Sequence, residues 1–112
     1  MWIIKSKGEN LDSNKTQKIC NLLGLAQRAG RLVSGEDLVV EAIQKGQAKL
    51  VFLASDAASN LNKKICDKSK TYQVEVVTAF STLELSTAVG KARKVLAVTD
   101  AGFTKKMRSI ME

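Results

Sequence analysis

Residues 50–54 read Leu-Val-Phe-Leu-Ala, an uninterrupted apolar run between the polar residues Lys49 and Ser55. Successive side chains of a β-strand point to opposite faces of the sheet, so a strand that is apolar at every position needs cover on both faces. Helices in front of and behind the sheet are the usual cover for such a strand. The run therefore predicts a central strand between two helical layers.

Strand-like and helix-like patterns alternate along the rest of the chain. The strand patterns cover residues 32–33, 50–54, 74–77 and 94–99, and the helical patterns cover residues 15–29, 34–46, 57–70, 81–89 and the segment after Asp100. Ser81 and Glu84 have the spacing of a capping box, and Asp100 is a typical N-cap residue. We therefore expect an α/β fold, a three-layer α–β–α sandwich around a small, mixed, four-stranded sheet.

The length of 112 residues fits one domain with one core. Residues 1–14 are mixed and mostly polar and show no clear period. We expect residues 1–14 to be a flexible leader and residues 15–112 to form a single α–β–α domain.

The chain carries 18 Lys and Arg against 11 Asp and Glu, a formal net charge of +7. Such an excess favours polyanionic partners, above all nucleic acid, because binding releases counterions from phosphates. The alternative is a basic surface that serves only solubility, and charge alone does not separate the two. Few aromatic residues are present to stack unpaired bases, so recognition should depend on a preformed RNA shape.

The chain has no His and only two cysteines, Cys20 and Cys66, neither of them in a C-x-x-C pair. Histidine acid–base chemistry is therefore excluded, and we expect no metal site, no cofactor and no catalytic residue. The cysteines sit in helical patterns as small apolar residues, although a disulfide between them stays open. No apolar run is long enough to span a membrane and no signal-peptide pattern begins the chain, so we expect a cytoplasmic protein without membrane contact.

The turn from the strand at residues 32–33 into the next helix is the first candidate site. Ser34 could cap the helix with its side-chain oxygen, and Gly35 would let another molecule approach the unpaired N–H groups of the first turn. Glu36 and Asp37 could accept hydrogen bonds from a guanine edge, whereas the apolar side of the helix predicts Leu38, Val39, Ala42 and Ile43 as inward-facing. The alternative is that these residues only begin a helix.

Cations precede this turn in the sequence, and a second basic segment lies near the end of the chain. Arg28 and Arg31 come before the turn, where they could hold phosphates. The loop at residues 90–94 contains Lys91, Ala92 and Arg93 and could clamp a phosphate, although it could equally be a solvated connection. Both segments would form one surface if the sheet brought them to the same edge. The lysines of the third helix, Lys63, Lys64, Lys68 and Lys70, read as a solvated face.

Residues 34–56, together with residues 81–90 and 96–100, resemble the kink-turn-binding ribosomal protein family, the "seven-A-e" family, and within it the small bacterial members. The resemblance spans about residues 18–107. It implies a three-layer α–β–α domain that docks the helix start at Gly35 into the widened major groove of a kinked RNA stem. There the family reads tandem sheared G·A pairs, while the loop at residues 90–94 would pack on the extruded nucleotide.

The chain departs from the family at the helix start. The family usually has Gly-x-Asn-Glu-x-x-Lys, whereas this chain has Asp37 at the Asn position, Leu38 at the Glu position and Glu41 at the Lys position. Asp37 keeps hydrogen-bond acceptors but loses the amide donor, and Glu41 would repel phosphate. In the loop, basic residues replace the aliphatic residues common in the family.

These observations predict a non-enzymatic, ribosome-associated binding protein for structured RNA that recognises a kink-turn or similarly bent RNA. The expected partners are structured RNA, with ribosomal RNA foremost, and the ribosome, and the simplest oligomeric state is a monomer. A protein–protein adaptor that uses the acidic face of Glu36, Asp37 and Glu41 is the alternative. A small enzyme acting on RNA is disfavoured because the chain holds no catalytic constellation.

Overall fold

The structure is a computed structural model and describes residues 4–5 and 13–112 of the chain. The described part contains five helices and five strands. In chain order they are β1 (Ile4–Lys5), α1 (Ser13–Arg28), β2 (Leu32–Ser34), α2 (Glu36–Gln44), β3 (Leu50–Leu53), α3 (Ser59–Tyr72), β4 (Val76–Val77), α4 (Thr82–Val89), β5 (Val95–Val98) and α5 (Ala101–Met111).

The strands form one mixed sheet in the order β1-β4-β3-β5-β2. β1, β4 and β3 run parallel to one another, whereas β5 runs antiparallel to both of its neighbours, β3 and β2. All four residues of β3 are buried. The apolar run at residues 50–54 is therefore a central strand, as predicted.

The two faces of β3 belong to different parts of the core. Leu50 and Phe52 pack with the buried side chains of α1, α4 and α5, and the Phe52 ring meets Phe80 edge to face, with 5.7 Å between ring centroids. Val51 and Leu53 pack on the other side with the buried side chains of α2 and α3. Three helices on one face and two on the other confirm the predicted three-layer sandwich.

The sheet has one strand more than the four that the sequence indicates. Ile4 and Lys5 pair in parallel with Val76 and Val77 and so extend the edge of the sheet at β4. A strand of two residues has no period that a sequence pattern could reveal. The rest of the predicted leader, residues 1–3 and 6–12, lies outside the described residues, and Ser13 and Asn14 already belong to α1.

Two of the three predicted helix caps are present. The Ser81 hydroxyl accepts from the Glu84 N–H at 3.1 Å, and the Glu84 carboxylate accepts in return from the Ser81 N–H at 2.9 Å. The Asp100 carboxylate accepts from the Phe103 N–H at 2.9 Å. The third prediction, a cap by Ser34, is wrong, because α2 has Gly35 at its N-cap and no side-chain cap.

Cys20 and Cys66 are free thiols on opposite sides of the sheet. A disulfide between them is excluded because the sheet separates the two residues. Partial burial raises the pKa of both thiols, with a further contribution from the charge of Glu84 at Cys20 and of Asp67 at Cys66. Both residues are small apolar packing elements, in keeping with their helical patterns.

Candidate nucleic-acid interface

The sheet order brings the two candidate loops to one edge of the molecule. β2 and β5 are antiparallel, with Ser34 opposite Leu96, and the Gly35 N–H continues the ladder by donating to the Val95 carbonyl at 3.0 Å. The end of β2 therefore lies beside the start of β5. We call the surface formed by residues 34–38 and 90–94 the Gly35 edge.

A direct hydrogen bond joins the two loops. The Arg93 guanidinium donates from Nε to the Ser34 hydroxyl at 2.9 Å. This contact explains why Ser34 is no helix cap. Ser34 is the last residue of β2, the N-cap position of α2 falls one residue later on Gly35, and the Ser34 hydroxyl lies against Arg93. The Ser34 hydroxyl thus accepts a hydrogen bond from the Arg93 guanidinium and not from a helix N–H.

The main chain of Arg93 is held from the other side by α4. The Ser86 hydroxyl accepts from the Arg93 N–H at 3.0 Å and donates to the Arg93 carbonyl at 3.1 Å. The guanidinium also donates from Nη1 to the Ala92 carbonyl at 2.8 Å. These contacts use two of the five guanidinium N–H groups and leave three for a ligand.

Gly35 has a backbone conformation that favours glycine, with φ 94° and ψ 151°. Apart from its two chain neighbours, no atom of residues 13–112 lies within 4 Å of a Cβ built at this position, so this part of the structure leaves the space beside Gly35 open. The first hydrogen bond of α2 runs from the Val39 N–H to the Gly35 carbonyl. The N–H groups of Glu36, Asp37 and Leu38 therefore precede the intrahelical ladder and make the helix start a site for hydrogen-bond acceptors.

Glu36 is held by a lysine from the neighbouring helix. Its carboxylate lies 2.7 Å from the Lys64 ammonium, and both side chains remain more than 40% exposed, at 43% and 46%. The hydrogen bond that Lys64 donates to Glu36, and then the charges of Glu36 and Asp37, raise the pKa of Lys64. An ion pair this exposed contributes little stability, so a ligand can replace either partner.

Lys64 is a residue that the sequence pattern assigns to a solvated face. The residues of the pair are 28 positions apart, and no local spacing connects them. Only the packing of α2 against α3 reveals that Lys64 contacts a residue of the Gly35 edge.

Leu38 lies at the surface, 55% exposed, and the prediction that it faces inward is wrong. The inward residues of α2 are Val39, Ala42 and Ile43, which form a narrower stripe than the apolar run suggests. Glu41, the third departure from the family pattern, pairs with Lys45 one turn later at 2.6 Å. Hydrogen bonding and charge from Lys45 lower the pKa of Glu41.

The other residues of the loop at residues 90–94 lie at or near the surface. Lys91, Ala92 and Lys94 are exposed, and Arg93 is half-buried. Gly90 ends α4 in the left-handed conformation, with φ 78°, and so turns the chain back toward the sheet. The loop presents its cations beside the start of α2.

Arg28 and Arg31 are not brought to the Gly35 edge. The Arg31 carbonyl accepts from the Thr99 N–H at the opposite end of β2. The three residues of β2 lie between Arg31 and Gly35, and the four steps of extended chain separate the two by about 13 Å. Arg28 lies in the last turn of α1 and lines a groove between α1 and α4. Both arginines are close to Gly35 in sequence but not in space, because β2 lies between them and Gly35 and the two ends of a strand are at opposite ends of the sheet.

Asp56 lies outside the Gly35 edge but holds the start of α4, the helix that contacts Arg93. Its carboxylate accepts from the Thr82 N–H at 2.9 Å and from the Thr82 hydroxyl at 2.7 Å. These hydrogen bonds, the side-chain one first, lower the pKa of Asp56. The residue is thus a turn and helix-start residue, and it anchors α4, the helix whose Ser86 holds Arg93.

A comparison with family models matches residues 17–108 to the ribosomal protein L7Ae/L30e/S12e/Gadd45 family. The chain belongs to this family. The match covers α1 to most of α5 and therefore includes both loops of the Gly35 edge.

Two curated relatives are similar over most of their length. "RNA-binding protein YlxQ" of Enterococcus faecium is 43% identical over 102 residues, which cover 91% of this chain and 99% of the relative. "RNA-binding protein YlxQ" of Bacillus subtilis (strain 168) is 49% identical over 92 residues, which cover 81% and 92%.

Two solved structures share the fold. A protein of unknown function from Bacillus halodurans superimposes with a TM-score of 0.79 at 44% identity, covering 84% of this chain and 96% of that one. The 15.5 kD RNA binding protein of Giardia lamblia superimposes with a TM-score of 0.77 at 16% identity, covering 91% and 88%. The second likeness shows that the fold is shared even at low sequence identity.

Within residues 4–5 and 13–112, no three His, Cys, Asp or Glu side chains lie close enough to hold a metal ion. Among the helices that the structure describes, none combines the length and the apolar character that crossing a bilayer requires.

Proposed function

We propose that this member of the L7Ae family is a non-enzymatic RNA-binding protein whose Gly35 edge recognises a kink-turn or a similarly bent RNA. The family match, the name "RNA-binding protein" of two relatives and the net charge of +7 support RNA as the partner. We further propose that the protein acts as a monomer on ribosomal RNA in the cytoplasm, with residues 15–112 as the binding unit.

The hydrogen bond between Arg93 and Ser34 is the observation that carries the proposal. It fixes a cation against the start of α2, so that phosphate-binding and base-reading groups lie on one rigid surface. In the bound state, Arg93 and Lys91 contact phosphates and Ala92 packs against the sugar or base of an unstacked nucleotide. The open space beside Gly35 admits the RNA to the N–H groups of the first turn of α2.

Glu36 and Asp37 read base edges in this proposal. A carboxylate accepts two hydrogen bonds, which suits the N1–H and N2–H₂ groups of guanine. Glu36 reaches the base by exchanging its exposed contact with Lys64, whose ammonium is then free for a phosphate. The RNA is selected because only its bent form fits, which is a population shift without chemistry.

The adaptor alternative is weakened by how the acidic residues are paired. Glu36 contacts Lys64 and Glu41 contacts Lys45, so two of the three carboxylates on that face are already neutralised by the chain's own lysines. A basic protein partner would gain little from such a face.

A gel-shift with two RNA stems tests the proposal. One stem contains a kink-turn, and the matched stem lacks its tandem G·A pairs. We expect the kink-turn stem to bind at least about tenfold more tightly at both low and moderate salt. Equal affinity for both stems, with equal salt dependence, would show that binding is electrostatic and unspecific and would overturn the proposal.

A further inference from the structure

Arg31 lies in a second basic region, at the end of the sheet opposite the Gly35 edge. The Thr99 N–H donates to the Arg31 carbonyl at 3.0 Å, and the Lys49 N–H donates to the Val98 carbonyl at 2.8 Å. Arg31 and Lys49 therefore flank the end of β5 from either side, about 10 Å apart, which is two strand spacings. We call the surface formed by residues 31, 49, 105 and 108 the Arg31 edge.

Helix α5 completes this edge. Lys49, Lys105 and Arg108 line an open cavity of about 560 Å³, together with Thr104 and Ser109. The Arg108 guanidinium donates to the Lys49 carbonyl at 3.5 Å, which places α5 directly beside the start of β3. Lys49, Lys105 and Arg108 thus line one cavity, and Arg31 lies across the end of β5 from Lys49.

Three acidic side chains lie at this edge: Glu75, Asp100, which caps α5, and Glu112. Glu75 is paired with Arg108 at 2.8 Å, and its side chain is only 13% exposed. Glu112 also lines the cavity. Arg31, Lys49 and Lys105 are exposed, and within residues 13–112 their side chains make no ion pair or hydrogen bond.

We propose that the Arg31 edge is a second nucleic-acid-binding surface, which holds the phosphate backbone of a double-helical RNA segment. Long cationic side chains without intramolecular partners suit a polyanion, since each contact releases counterions from it. An acidic protein fits less well, because protein interfaces depend on buried apolar anchors at their centre. The exposed large apolar residues Leu25, Leu38, Tyr72 and Leu83 do not line this cavity.

The two edges lie at opposite ends of the same strands, so both can be occupied at once. The protein then bridges a bent RNA at the Gly35 edge and a regular helix at the Arg31 edge. This inference goes beyond the proposed function and stands without it, because binding to a regular helix requires no kink.

The test measures the binding of a straight 20-base-pair RNA duplex, without a kink, to a double variant. Arg31→Gln combined with Lys49→Gln should weaken duplex binding about tenfold and lower the slope of log affinity against log salt by about two, close to one unit for each lost phosphate contact. A kink-turn stem with short arms should bind the double variant within about twofold of the unmodified protein.

A matched control removes the same number of charges elsewhere. Lys18 and Lys106 are exposed, and they line neither the cavity at the Arg31 edge nor the groove between α1 and α4. Lys106 is the direct neighbour of Lys105 in the sequence. Lys18→Gln combined with Lys106→Gln should leave duplex affinity within about twofold. The charge-conserving pair Arg31→Lys and Lys49→Arg should preserve the salt slope, and equal thermal unfolding midpoints would show that all variants are folded.

Equal losses in the two Gln variants would mean that only net charge matters, and this result would overturn the inference. No loss in either, or no binding of the duplex by the unmodified protein at low salt, would also overturn it. If the kink-turn stem is not preferred while duplex binding depends on Arg31 and Lys49, the proposed function fails and the second surface stands.

Discussion

The Gly35 edge and the Arg31 edge are the two ends of one sheet, and they are built in different ways. At the Gly35 edge, backbone N–H groups, a left-handed glycine and carboxylates lie beside an arginine fixed by Ser34 and Ser86. At the Arg31 edge, long side chains with few fixed partners provide the charge. Fixed donors and acceptors can read a shape, whereas unfixed cations read only phosphate density. In the two proposals, the basic residues behind the net charge of +7 therefore have two different tasks in one small domain.

Gly35→Val should have the largest effect on this comparison. The side chain would fill the open space beside the helix start, so kink-turn binding should fall at least about a hundredfold, whereas duplex binding should persist. The positive φ of this backbone would also cost about 1–3 kcal/mol of folding free energy, which a typical domain tolerates.

Gly46→Val is the matched control for this strain. Gly46 has φ 72° and open space around it, but it follows α2 at the other end of the helix. The free energy of unfolding should fall by a similar amount in both variants, while kink-turn affinity should be lost only in Gly35→Val. Wild-type affinity in Gly35→Val, measured by calorimetry, would contradict the close approach.

Arg93→Ala should weaken kink-turn binding about tenfold to a hundredfold, the usual value of one charge-assisted hydrogen bond plus the loss of loop positioning. Ser34→Ala should produce a smaller loss, because the guanidinium remains but is no longer fixed. Filter-binding titrations with both RNA probes would measure this, and duplex affinity should stay within about twofold. A larger loss on the duplex than on the kink-turn stem would reverse the assignment of the two edges.

Lys64→Ala should lower kink-turn affinity about two- to fivefold, because the ammonium that Glu36 releases on binding is no longer there to contact a phosphate. Lys63→Ala, the adjacent exposed lysine, should change the affinity less. Urea unfolding should show a change of about 0.5 kcal/mol or less for Lys64→Ala, since the pair is exposed. An affinity gain in Lys64→Ala would mean that Lys64 competes with the RNA for Glu36.

The smallest expected effect is the pH dependence that Asp56 contributes to stability. Its pKa is lowered in the folded protein by the hydrogen bonds from Thr82. The stabilisation is therefore complete above the unfolded value, about 3.9, and is lost as the pH falls through the lower folded value. Thermal unfolding between pH 6 and about pH 2 should show a weaker acid dependence in Asp56→Ala than in the unmodified protein. An identical pH profile would contradict this assignment.

The layers of the fold could be predicted from sequence because they follow from local pattern. A run that is apolar at every position fixes the central strand, and the Ser81 capping box fixes the start of α4 through residues three positions apart. Such signals are contained within one element. The strand β1 escaped prediction because its two residues form a strand only by pairing with β4.

The site was harder to predict from sequence because its contacts join distant parts of the chain. Ser34 and Arg93 are 59 positions apart, and Glu36 and Lys64 are 28 apart. The sequence indicated that Arg93 and the helix start are chemically suited to RNA, and the sheet order was needed to place them together. It also grouped Arg31 with Gly35, where three residues of β2 hold the two apart.

The clamp of Ser86 on Arg93 has a consequence for how the loop can evolve. The Ser86 hydroxyl hydrogen-bonds both the N–H and the carbonyl of Arg93. These two bonds determine how many residues can lie between Gly90 and Arg93. An insertion there would shift the guanidinium by one position, roughly 3.3 Å along the chain, and turn it away from β2. Substitution of Lys91 or Ala92 could therefore change ligand preference without moving Arg93. A change of loop length would instead remove the hydrogen bond between Arg93 and Ser34.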